Sequence, residues 1–88
     1  MNQSLTPLEF FLDAIDRYQR VFGGELPESL VMSPESCMAL LDDSAGEEKE
    51  FGIGPGQVWF KMRGVKICAF AVPEPYFVSL DRREIWAL

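Results

Sequence analysis

The chain contains no histidine. That removes Ser-His-Asp and Cys-His nucleophile systems, and with them the commonest transition-metal ligand. Its two cysteines, Cys37 and Cys68, are too few and too dispersed for a structural zinc site and form no CxxC pair. We expect two buried free thiols in a reducing compartment, with a single helix-to-sheet disulfide as the alternative. Long apolar runs are missing too. The longest is the six-residue ICAFAV at 67–72, far short of a membrane span. The first residues lack a basic start and an apolar stretch, so no signal peptide is expected and a cytoplasmic location is the default. A basic excess is also absent. Net charge is −6, which makes non-specific binding to nucleic acid or an anionic membrane unfavourable.

What is present reads as one ordinary globular domain over 1–88, with 48% hydrophobic and 25% charged residues. Its charge is segregated. Residues 1–56 set eleven acids against Arg17, Arg20 and Lys49, while 57–88 set five bases against Glu74, Asp81 and Glu84.

The richest β signal lies in Val58–Leu80. Arg63-Gly64 is the turn candidate, since glycine supplies the positive φ of a two-residue hairpin loop, although arginine is a poor first residue. Parity fixes the register. A two-residue loop sets Met62 opposite Val65, Phe60 opposite Ile67 and Val58 opposite Ala69, giving one wholly apolar face. The other face then carries Lys61 with Lys66 and Trp59 with Cys68. A three-residue loop would set Met62 against Lys66 and mix the faces. Residues 67–72 are apolar on both parities, as in a strand covered on both sides. Pro73 and Pro75 stop the ladder, and Tyr76 begins another short strand.

Upstream, Thr6-Pro7-Leu8-Glu9 is a capping box with proline at the first helical position, and Leu5 and Phe10 are placed as a hydrophobic staple. Leu8, Phe11, Leu12, Ile15 and Phe22 make an apolar stripe broken only at Gln19, and Gly23-Gly24 ends the helix. Phe10, Ala14, Tyr18 and Val21 widen the stripe toward a second contact surface. A short strand centred on Leu30–Met32 follows. Ser33-Pro34-Glu35 then opens a second helix that buries Cys37, Leu40 and Leu41. Asp42 and Asp43 oppose the macrodipole at its end, so fraying is expected there. Residues 42–56, DDSAGEEKEFGIGPG, read as a flexible acidic and Gly-rich loop. Residues 81–88 allow either a last strand through Ile85 and Ala87 or a helical turn.

The expected fold is therefore α+β, with two helices on one face of a small, mainly antiparallel sheet of three to five strands, in the order α-β-α-β-β-β. Calcium and phosphate sites fail on spacing. With Gly46 at the sixth loop position the first calcium ligand is Leu41, and GxGxxG needs a glycine where Gln57 stands. No catalytic residue, metal or cofactor is expected, and the chain is read as no enzyme. The candidate partner-binding residues form two groups. Trp59, Lys61, Arg63 and Lys66 cluster on the polar face and tip of the hairpin. Asp42, Asp43, Glu47 and Glu48 lie in the acidic loop. The function expected is a non-catalytic protein-interaction module, acting on a protein partner or by self-association. One form is an inhibitor whose acidic half engages a basic site. The alternative is a nucleic-acid-binding accessory protein using the basic hairpin tip.

LPESLVMSPESCMALL at 26–41 and RGVKICAFAVPEP at 63–75 together resemble segments of small uncharacterised phage and prophage proteins and of the capsid fold of tailed phages. There too a strand runs into a Ser/Asn-Pro helix start, and a strand follows a G-x-x-I/V turn downstream. The likeness covers about half of the chain. It implies a phage or mobile-element accessory protein and carries over no catalytic residue.

Overall fold

Arg63 and Gly64 both have positive φ, 52° and 82°, the pair of left-handed residues that a two-residue hairpin turn of the strand-matching hand requires. The computed structural model describes residues 5–54, 57–79, 81 and 85–87, with backbone alone at 53, 54, 57, 58 and 85–87. In chain order the elements are α1 (Pro7–Val21), β1 (Ser29–Met32), α2 (Pro34–Asp43), β2 (Glu50–Gly54), β3 (Gln57–Met62), β4 (Val65–Ala69), β5 (Tyr76–Val78) and β6 (Ile85–Ala87). The fold is α+β with a mixed, six-stranded sheet ordered β2-β3-β4-β1-β5-β6.

The hairpin register is the one that parity demands. Met62 stands opposite Val65, Phe60 opposite Ile67, Lys61 opposite Lys66 and Trp59 opposite Cys68. The expected Val58–Ala69 pair lies beyond that register, and the Val58 side chain is outside the described residues. Phe60, Met62, Val65 and Ile67 are all buried. Each such side chain contributes roughly 1.5–3 kcal/mol on leaving water.

That face meets both helices. The core cluster joins them to Leu30 and Met32 of β1, Phe77 of β5, Phe11, Ala14, Ile15 and Tyr18 of α1, and Cys37 and Leu40 of α2. Ala14 and Tyr18, expected to widen α1 toward a second surface, are part of the core itself. The buried stripe is rotated toward them, and Leu8, Leu12 and Phe22 flank it. Tyr18 stacks on Phe22 at 4.2 Å and meets Phe77 edge-on at 5.2 Å.

α1 begins as its capping box predicts. Thr6 Oγ1 accepts from the Glu9 amide, and Glu9 Oε1 accepts from the Thr6 amide. It ends with the Gly24 amide donating to the Gln19 carbonyl at 2.7 Å, across a Gly23 of φ 66°. This is the six-to-one bond of a Schellman close. Gln19, the break in the apolar stripe, donates its side-chain amide back to the Gly24 carbonyl at 3.0 Å.

Two expectations are corrected. The element order is α-β-α-β-β-β-β-β rather than α-β-α-β-β-β, because two edge strands, β2 and β6, are added. The span 42–56 is not one loop. Asp42 and Asp43 close α2, and Glu50–Gly54 is a regular strand paired with β3. Charge and glycine had disguised it. β1 pairs in parallel with β4 (Leu30 with Ile67, Val31 with Cys68), and the other four strand pairs are antiparallel. β1 lies in the interior of the sheet, between β4 and β5, and is buried along its whole length. Cys37 and Cys68 are buried and not joined in a disulfide. Cys68 alternates with Ile67 to the sheet face away from α2, so the two thiols are not placed to join.

Candidate functional site: the open face of the sheet

The helices occupy one side of the sheet, and the residues of opposite parity line the other. Two cross-strand rows run over this face, exposed or half-buried toward β2 and β3 and buried at Ser29, Val31 and Cys68 in its middle. One passes from Glu50 through Lys61, Lys66 and Ser29 to Val78. The next passes from Gly52 through Trp59, Cys68 and Val31 to Tyr76.

Trp59 is the floor of this surface. A Cβ at position 52 would lie 2.1 Å from Cζ2 of the Trp59 indole. The ring therefore lies across β2 where residue 52 has no side chain. Lys66 Nζ sits 5.1 Å from the ring centre, within cation–π range. Lys61, exposed, stands directly across the strand pair from Lys66. Neither ammonium comes within 4.0 Å of a carboxylate among the described ion pairs, although Glu50 faces Lys61 in register. A groove of about 390 Å³ runs beside them, where Glu28 and Glu50 join Trp59, Lys61 and Lys66 in the lining.

The two groups of sequence-derived candidates meet, but not as one basic and one acidic patch. Arg63 grips Glu47 through both ends of its fork, Nε to Oε1 at 2.6 Å and Nη2 to Oε2 at 3.2 Å. The hydrogen bond from Arg63 holds the Glu47 carboxyl below its usual range, and the same bond raises the guanidinium. This contact ties the turn to the loop 44–49 and supports an arginine whose left-handed backbone costs about 1–2 kcal/mol. A second recess, of about 710 Å³, lies between that loop and the turn.

Asp43 has a different task, accepting the Leu8 amide at 2.8 Å and so capping α1 from the end of α2. Lys49 turns its ammonium onto the Ser44 and Glu47 carbonyls, where it offsets the negative end of α2. Of the acidic candidates, Asp42 and Glu48 stay exposed, with no hydrogen bond or ion pair among the described residues. Trp59, Lys61 and Lys66 thus remain together on one surface, and Arg63, Asp43 and Glu47 are engaged elsewhere.

Gly52, Glu50 and Tyr76 join the site without having been singled out. The Gly52 signal was readable only as loop punctuation, since its partner is seven residues away across an unforeseen strand pair. The arrangement offers charge, a flat aromatic and a groove, which is equipment for binding. Among the described residues no group of three or more His, Cys, Asp or Glu side chains is placed to hold a metal ion, and no helix is long and apolar enough to cross a membrane. No family model matches the chain, and no curated protein or solved structure does.

Proposed function

We propose that the chain is a non-catalytic protein-interaction module that takes an acidic, extended segment of a protein partner over the accessible end of the sheet face away from its helices, at Trp59, Lys61 and Lys66. One observation carries this reading. Lys61 and Lys66 lie side by side, in no ion pair among the described residues, next to a flat Trp59. Two adjacent ammoniums repel each other, by roughly 0.2–1 kcal/mol when directly opposite on a sheet, and an incoming carboxylate relieves that repulsion. Trp59 adds an apolar contact of the kind that anchors interfaces. The acidic-mimic form loses support because Asp43 and Glu47 are held within the fold. The nucleic-acid form loses support because Arg63, the third basic residue of the tip, is already paired with Glu47. The phage or mobile-element setting rests on the resemblance of 26–41 and 63–75.

The test is a fluorescence titration in a Trp86→Phe background with an extended glutamate-rich peptide. Binding should shift Trp59 emission and weaken with salt. Lys61→Glu with Lys66→Glu should weaken it by at least about tenfold, some 1.4 kcal/mol. A response to single-stranded oligonucleotide but not to the acidic peptide would reverse the assignment.

A further inference from the structure

Among the described residues, no element covers the edge of the sheet at β2, and Glu50 at its start is the strand's one charge. Edge strands are ordinarily blunted by lysine, proline, a bulge or a covering element. β2, EFGIG, contains neither lysine nor proline. Its register with β3 runs without a bulge from Glu50–Lys61 to Gly54–Gln57. The nearest lysine, Lys49, is turned back onto α2. Phe51 is 67% exposed on the helix side of this edge, its inner flank resting against Phe60 at 6.1 Å between ring centres.

Which backbone groups point outward follows from the hairpin. A two-residue loop makes Met62–Val65 a hydrogen-bonded pair, and alternation makes Phe60–Ile67 the next one. The N–H and C=O groups of Trp59 and Lys61 therefore turn to β2, where they meet Gly52 and Glu50. Phe51 and Ile53 are left facing outward.

We infer that β2 is the pairing edge of a homodimer, in which it joins β2 of a second copy antiparallel about a two-fold axis at Gly52. In this register Phe51 of each copy stands opposite Ile53 of the other, and each outward N–H of those residues meets an outward C=O. Glu50 stands opposite Gly54, so the two carboxylates lie at opposite ends of the pair. The register centred on Phe51 instead sets Ile53 against Lys49, whose side chain is committed to α2. The strand thus matches itself in hydrogen bonding, sets no like charges opposite each other and brings the exposed Phe51 of each copy to the joint, which selects a second copy as its occupant. The two sheets become one, with both helical layers on the same side. The Trp59 rings lying over the two Gly52 residues approach each other across the axis. The inference stands independently of the proposed partner binding, which no step of it uses.

Sedimentation equilibrium tests it, at chain concentrations up to about 1 mM, the weak end of the affinity scale. The wild-type mass should double with concentration. Phe51→Lys places a charge on the edge, and Ile53→Pro removes an outward donor while leaving the ladder to β3 intact. Both should remain monomeric with an unchanged circular dichroism spectrum. Should either variant unfold, amide exchange on the wild type decides. The Phe51 and Ile53 amides should slow at least about tenfold as the dimer forms, while Gly52 stays constant, as expected for an amide already paired within the monomer. A wild type that stays monomeric throughout, a dimer that survives both substitutions, or edge amides indifferent to concentration would each overturn it.

Discussion

The carboxylate of Asp43, the last residue of α2, accepts the amide of Leu8 in the first turn of α1 at 2.8 Å. With it the first turn of α1 is fully accounted for. Thr6 takes the Glu9 amide, Glu9 takes the Thr6 amide, the Phe10 amide reaches the Thr6 carbonyl, and Pro7 has none to offer. Asp43→Ala should therefore destabilise the fold by about 1 kcal/mol, as loss of a cap does. Asp43→Asn keeps an acceptor and removes a charge from the negative end of α2, so it should be nearly neutral. Urea midpoints of the two variants decide this, and equal losses would mean that charge rather than hydrogen bonding is at work.

Glu47 should titrate below the ordinary glutamate range because Arg63 donates to its carboxylate. The folded-state value is depressed, so the unfolded chain takes up the proton first as pH falls. The contribution of the contact is present above the ordinary glutamate value and is lost as pH drops through the folded one. Carboxyl carbon shifts followed by NMR should show the depression, and Arg63→Ala should abolish it.

Gly52→Ala drives a methyl group into the Trp59 indole, 2.1 Å from Cζ2. Overpacking of this kind costs about 1–3 kcal/mol. In a Trp86→Phe background, Trp59 emission should also shift to longer wavelength as the ring is lifted from the sheet. An unaltered spectrum with unaltered stability would show that the ring does not occupy that position.

Burial pushes the Cys37 thiol up from 9.0 to about 11, and the neighbouring Cys68 adds to the effect. Cys37 Sγ points at the Met32 and Cys68 carbonyls, which favours the protonated form. Iodoacetamide at pH 8 should leave this thiol unmodified in the native protein and alkylate it rapidly in denaturant. Here the folded value is raised, so the unfolded chain ionises first. Stability should fall as pH rises from the ordinary thiol value toward 11.

Much of the local architecture was legible because its causes lie within a few residues of one another. The capping box at Thr6–Glu9, the Ser33-Pro34 helix start, the glycine stop at 23–24 and the reversal at Arg63-Gly64 are all of this kind. So is the hairpin register, where alternation leaves one pairing that keeps a face apolar. Gln19 shows the limit. It looked like a defect in a stripe, and its role appears only when the chain end it seals has folded back toward it.

Sequence alone determined the two helices, their starts, and a hairpin with Phe60 and Ile67 on its inner side, since short-range sterics, hydrogen bonding and burial parity suffice for each. Tertiary structure decided the parallel β1–β4 pairing, the edge strand β2, the Asp43–Leu8 cap and the Arg63–Glu47 clasp. These join residues too far apart for periodicity to relate them. Charge and glycine in β2 carry no local strand preference, and what makes it a strand is the row of backbone groups that β3 presents to it.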